Sequence, residues 1–164
     1  HPYVTKSEKD AKVVREGNVV HVYMTTIHSH LAPDNIEGIK IGDEVYFHVT
    51  NLEQDWDVPH GFAVKGGRTS ELLVMPGETC TLKWTADRVG IIPFYCTDFC
   101  SALHQEMQGY VRVSPVGSSV PLTANTLKAK GQVARAEQRG ITLPTPPGAV
   151  DAHAAHSTGA PRPR

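Results

Sequence analysis

The chain is 164 residues long and 40% apolar, with 16 Lys and Arg against 17 Asp and Glu and a formal charge of −1. That length is about one domain's worth, and near-neutrality excludes a phosphate-neutralising nucleic-acid binder or a polybasic membrane-surface protein. No apolar run approaches the roughly 20 residues that span a bilayer, and the richest patch, Ile91-Ile92-Pro93-Phe94-Tyr95, is strand-sized.

The chain opens at His1 with neither an initiator Met nor an apolar leader, as expected of a processed product or a piece of something longer. Period-two alternation then dominates. Val20, Val22 and Met24 alternate with His21 and Tyr23; Val45, Phe47 and Val49 alternate with Tyr46, His48 and Thr50. Asp57-Val58-Pro59-His60-Gly61-Phe62 opens a strand whose alternate residues Phe62 and Val64 are apolar, so the His60 ring is expected to point inward. Cys80, Leu82 and Trp84 alternate with Thr79, Thr81, Lys83 and Thr85. Turn signals separate these runs: Glu16-Gly17-Asn18, Ile41-Gly42-Asp43, Gly66-Gly67 and Met75-Pro76-Gly77-Glu78. Many short, half-buried antiparallel strands and no long helix predict an all-β sandwich or barrel.

Composition changes near Ser114, which predicts a folded domain over 1–114 and a tail over 115–164. The tail holds seven of the twelve prolines and none of the eleven aromatics, so it lacks the material for a core. It reads as a Pro/Ala-rich, largely irregular segment, extended or partly disordered, with good helix formers around 126–139. Residues 1–114 carry 10 basic and 15 acidic side chains, net −5; the tail carries 6 and 2, net +4. Overall neutrality hides an acidic domain.

The chemistry is concentrated in Cys96-Thr97-Asp98-Phe99-Cys100-Ser101-Ala102-Leu103-His104-Gln105-Glu106-Met107, a C-x3-C-x3-H-x2-M pattern. Two thiolates, an imidazole and a thioether form a soft donor set that favours copper over hard cations. Zinc also accepts Cys and His, but structural zinc sites draw their ligands from Cys and His without Met. One Cys, two His and a weak Met would make a mononuclear copper site. The second Cys points instead to two coppers sharing two sulfurs, which calls for a second imidazole; His60 is the best candidate.

The segment from Phe94 to Tyr110, with Gln54-Asp55-Trp56-Asp57-Val58-Pro59-His60-Gly61-Phe62 upstream, closely resembles the C-terminal cupredoxin domain of nitrous-oxide reductase. The related motif of cytochrome c oxidase subunit II is a poorer match around Thr97-Asp98-Phe99. The resemblance implies a cupredoxin-like Greek-key β-sandwich carrying the binuclear copper centre CuA. Cys96 and Cys100 would bridge both coppers, His60 and Met107 would complete one, and His104 with the backbone carbonyl of Asp98 the other. Several family members have Trp where this chain has Asp98; a carbonyl ligand is indifferent to that change.

The resemblance further implies one-electron transfer in a periplasmic protein. A c-type cytochrome or small cupredoxin would donate, and a copper cluster in an N-terminal β-propeller of a homodimeric parent would accept and reduce nitrous oxide to dinitrogen. This chain lacks the propeller, so it would be the electron-input part. The alternatives are the soluble domain of an oxidase subunit II and a copper-delivery or storage module. Elsewhere, Cys80 reads as a buried inert thiol, and His28 with His30 as a solvated H-x-H loop, as do His153 and His156 in the tail. Met24 and Met75 read as core and turn, and Trp56 as either an exposed electron-entry aromatic or a packing residue.

Overall fold

The computed structural model describes residues 1–27, 30–68, 71–100 and 104–127. A 3-10 turn, η1 (Glu8–Asp10), is followed by strands β1 (Lys12–Glu16), β2 (Val19–Ile27), β3 (His30–Ala32), β4 (Asn35–Lys40), β5 (Glu44–Asn51), β6 (His60–Val64), β7 (Leu72–Val74), β8 (Thr79–Thr85) and β9 (Gly90–Tyr95). A second 3-10 turn, η2 (His104–Glu106), then leads into β10 (Gln108–Ser114) and β11 (Thr123–Asn125). No helix among the described residues is long and apolar enough to cross a membrane.

The strands form two sheets. One runs β1-β2-β5-β8 with β3 beside β2; the other runs β11-β4-β10-β9-β6-β7. The alternation in β2, β5 and β8 predicts which face each residue takes. Val20, Val22, Met24, Phe47, Val49, Leu82 and Trp84 are buried against Ile36, Phe62, Val64, Ile92, Phe94 and Val111 of the other sheet. At the centre, Phe47 meets Phe62 and Phe94 with ring centroids 5.2 and 6.0 Å away, in the tilted arrangement aromatic rings prefer. The molecule is a cupredoxin-like β-sandwich, as the residue pattern and the resemblance predict.

Two pairings depart from the antiparallel expectation. β2 and β5 run parallel, with Val20 opposite Val45, and so do β4 and β10. Side-chain alternation is the same in both kinds of ladder, so the sequence pattern is silent on direction. Gly38 interrupts the side-chain alternation of β4 with a φ of +82°. A Cβ there would fall 2.6 Å from Leu122 Cα, so a residue without a side chain lets the chain beyond β10 pass close by. β11 then pairs with β4 beyond the composition change at Ser114, and Leu122 packs against the core. The helical reading of 126–139, apart from its first two residues, lies outside the described residues, together with His28, His153 and His156.

Candidate metal centre

The antiparallel ladder of β9 and β10 builds the centre. Tyr95 stands opposite Gln108. One step beyond, the Cys96 N–H donates to the Met107 carbonyl at 2.9 Å, and the Met107 N–H donates to the His104 carbonyl at 3.0 Å. The motif's first and last residues are therefore neighbours across a hairpin, with Cys100 and His104 on the loop between them. β6 lies against β9, Ala63 opposite Tyr95, and so brings His60 in from 36 residues upstream of Cys96. Gly61 permits this approach: a Cβ on it would sit 2.8 Å from the Asp98 nitrogen.

The donor atoms converge. Cys96 Sγ and Cys100 Sγ are 3.9 Å apart. His60 Nδ1 faces Cys96 Sγ at 4.0 Å, while His104 Nδ1 faces Cys100 Sγ at 3.8 Å. Met107 Sδ is 3.3 Å from Cys100 Sγ, and the Asp98 carbonyl oxygen is 3.3 Å from Cys96 Sγ. His60, Cys96 and Met107 are buried; Asp98, Cys100 and His104 are half-buried toward solvent. All six residues singled out in the sequence thus meet in one place. A sulfur separation of 3.9 Å is less than twice a metal–thiolate bond of about 2.3 Å, so one cation can touch both sulfurs. Thiolates, imidazoles and a thioether form a soft set that suits copper. Without a cation the thiolate form is costly here: burial first, then the charge of Cys96, push the Cys100 thiol up to about 12.

The structure adds a residue that no sequence pattern marked. Glu53 Oε1 accepts a hydrogen bond from His60 Nε2 at 2.9 Å, with both side chains buried. That bond places the proton on Nε2 and turns the Nδ1 lone pair toward Cys96. Asn51 secures the loop between them. Its Oδ1 accepts from the Glu53 N–H, and its Nδ2 donates to the carbonyls of Val58 and Val74.

The remaining expectations resolve individually. Cys80 is half-buried against the core, and burial, then Glu78, raises its thiol, so it is a poor thiolate. His30 opens β3 and pairs with Glu8 rather than lying in a solvated loop. Met24 is core and Met75 an exposed turn residue. Trp56 is 82% exposed in the loop leading to His60, which removes the packing alternative. Phe99, unmarked in the sequence, is 78% exposed and its ring lies 5.8 Å from that of His104.

No family model matches this sequence. Nitrous-oxide reductase of Stutzerimonas stutzeri is 40% identical over 108 residues, covering 66% of this chain and 17% of that protein. Cytochrome c oxidase subunit 2 of Thermus thermophilus is 34% identical over 102 residues, covering 62% of this chain and 71% of that subunit. The chain belongs to the CuA-domain family that these proteins share. A solved structure of a heme-copper terminal oxidase dimer shares the fold of this chain, with a TM-score of 0.55 and 19% identity over 68% of this chain and 72% of that one. The chain spans about one sixth of the nitrous-oxide reductases that it matches.

Proposed function

We propose that this chain is an electron-transfer domain in which Cys96 and Cys100 bridge two copper ions. His60 and Met107 complete one copper, and His104 with the Asp98 carbonyl the other. The observation that carries the reading is the pair of sulfurs 3.9 Å apart with an imidazole nitrogen facing each. A bound copper pair supplies a one-electron store whose charge is spread over both metals and both sulfurs. The protein's own part is rigidity and exclusion of water. Cys96 and Met107 are tied by backbone hydrogen bonds, His60 is paired with Val74 of β7, and all three are buried, so their positions change little when charge is added or removed.

The half-buried side of the centre is where electrons enter. His104 reaches it with the exposed ring of Phe99 beside it, and Trp56 is exposed in the loop that leads to His60. Asp55 and Asp57 flank Trp56, while Asp98 and Glu106 lie in or beside the ligand loop, giving an acidic rim. A donor with a lysine-rich face fits this rim, such as a c-type cytochrome or a small cupredoxin. The acceptor is the catalytic copper cluster of a nitrous-oxide reductase, carried by a β-propeller within a homodimeric periplasmic parent; this chain is its input domain. The 71% coverage of cytochrome c oxidase subunit 2 favours a second parent, an oxidase, and neighbouring coding sequence for a propeller or for membrane helices separates the two.

Electron paramagnetic resonance of the copper-loaded, oxidised chain tests the centre. One unpaired electron split equally by two copper nuclei is expected; splitting by a single nucleus, or silence, rejects it. Cys96→Ser and Cys100→Ser each remove a bridge and should abolish the equal splitting.

A further inference from the structure

The outer face of the first sheet, remote from the copper ligands in its pairing, carries a cluster that electron transfer does not use. Tyr3, His21, Tyr23, Tyr46 and His48 lie side by side there. Tyr3 stacks on His48 with centroids 4.0 Å apart and planes 10° apart, and His48 is only 1% exposed. His21 Nδ1 is 2.8 Å from His48 Nε2, and His48 Nδ1 is 2.8 Å from Thr81 Oγ1. The two imidazole planes are 9° apart with centroids at 5.2 Å, so the facing nitrogens point almost straight at each other. This is the geometry of a hydrogen bond, with no shared corner for a metal ion. Two residues beyond Tyr3, the Thr5 N–H donates to Thr50 Oγ1 at 3.0 Å in a buried contact. Residues 1–5 thus lie across the sheet as a strap whose inner surface is an aromatic ring and one backbone donor.

We infer that residues 1–5 form an acid-released strap, held down while the His21–His48–Thr81 chain carries no more than one added proton. The proton count gives the reason. With both rings neutral, one ring donates between His21 Nδ1 and His48 Nε2 and the other accepts. The first proton from solvent goes to His21 Nε2. His21 Nδ1–H then donates to His48 Nε2, and His48 Nδ1–H donates to Thr81, so the chain stays whole. A second proton has only His48 Nε2 to occupy. Two N–H groups then face each other, and a cation is buried beneath Tyr3 without a carboxylate partner. Lifting Tyr3 hydrates it.

The surrounding charges do not rescue the buried cation. From β1, Lys12 rests over the Tyr23 ring at 5.2 Å and Glu16 lies at the far end of the strand, opposite Val19. From β8, Lys83 sits over Tyr46 at 5.5 Å and pairs with Glu44 of β5 at 2.8 Å. From the strap itself, His1 contacts Tyr3. Consistent with this, burial and then the charge of His21 push His48 down to about 4. Glu8 of η1 contacts His30 of β3, which anchors the following residues separately, so release stops short of β1.

Hydrogen exchange, corrected for the intrinsic pH dependence of exchange, tests the strap. Between neutral pH and pH about 4, Thr5 N–H should lose at least about tenfold in protection while the β5 and β8 amides keep theirs. His48→Gln keeps a donor and an acceptor but cannot titrate, and should retain Thr5 protection over the same range. Should that variant fail to fold, His21→Asn leaves one titrating ring whose Nε2–H can donate to the Asn Oδ1, so the chain takes no second proton and Thr5 should stay protected over the same range. Tyr3→Ala should expose Thr5 already at neutral pH with the copper spectrum unchanged. Loss of Thr5 protection together with the sheet amides, or the same release in His48→Gln or His21→Asn, overturns the proposal.

Discussion

Glu53 and His60 form a buried carboxylate–imidazole pair, Oε1 to Nε2 at 2.9 Å, on the side of the ring away from Cys96. The pair fixes the tautomer of His60 and turns the Nδ1 lone pair toward Cys96. Partners of this kind are worth about 10- to 100-fold in metal affinity. Glu53→Gln, which keeps an acceptor but loses the charge, should weaken copper binding about tenfold, and Glu53→Ala about a hundredfold. Competition against a chelator measures both, and an unchanged affinity in Glu53→Ala would remove the pair's role.

Gly61 lies under the loop that carries Cys96 and Asp98. A Cβ would come within 2.9 Å of the Thr97 nitrogen and 2.8 Å of the Asp98 nitrogen, both backbone atoms that cannot rotate away. Gly61→Ala should therefore displace the loop and disturb the copper spectrum more than it lowers the melting temperature. Wild-type absorption and paramagnetic resonance in that variant would contradict the packing argument.

Copper binding should weaken as pH falls. The Cys100 thiol holds its proton up to about 12 in the metal-free protein, mainly through burial, and copper needs the thiolate. Each thiol proton displaced costs about tenfold in apparent affinity per pH unit lowered. A chelator titration at several pH values should give a slope of at least one proton released; a flat profile would mean that copper binds elsewhere.

Phe47 sits at the meeting point of both sheets, fully buried against Phe62, Phe94 and Trp84. Phe47→Ala should lower stability by about 3–5 kcal/mol in urea unfolding. The same substitution at exposed Phe99 should leave unfolding nearly unchanged and slow electron entry from a donor.

Association with a lysine-rich donor should slow by about tenfold or more as ionic strength rises, because the Debye length shrinks to roughly 3 Å at 1 M salt. Stopped-flow rates independent of salt would leave the acidic rim around Trp56 without a docking role.

Much of this was legible in the residue order. Alternation located β2, β5, β6 and β8, and the C-x3-C-x3-H-x2-M run supplied most of the donors, because both are local: a strand's side chains repeat every second residue, and a hairpin loop keeps its ends together. Trp56 was ambiguous in the sequence, since the types that pack in cores also serve on surfaces.

The sequence by itself determined the donor types and the faces of the main strands. The tertiary structure decided which strands run parallel, how Gly61 lets β6 reach the ligand loop, that Glu53 holds His60, and that Tyr3 covers His48. Those are contacts between residues far apart along the chain. They depend on how two sheets close over one core, and no local period records that closure.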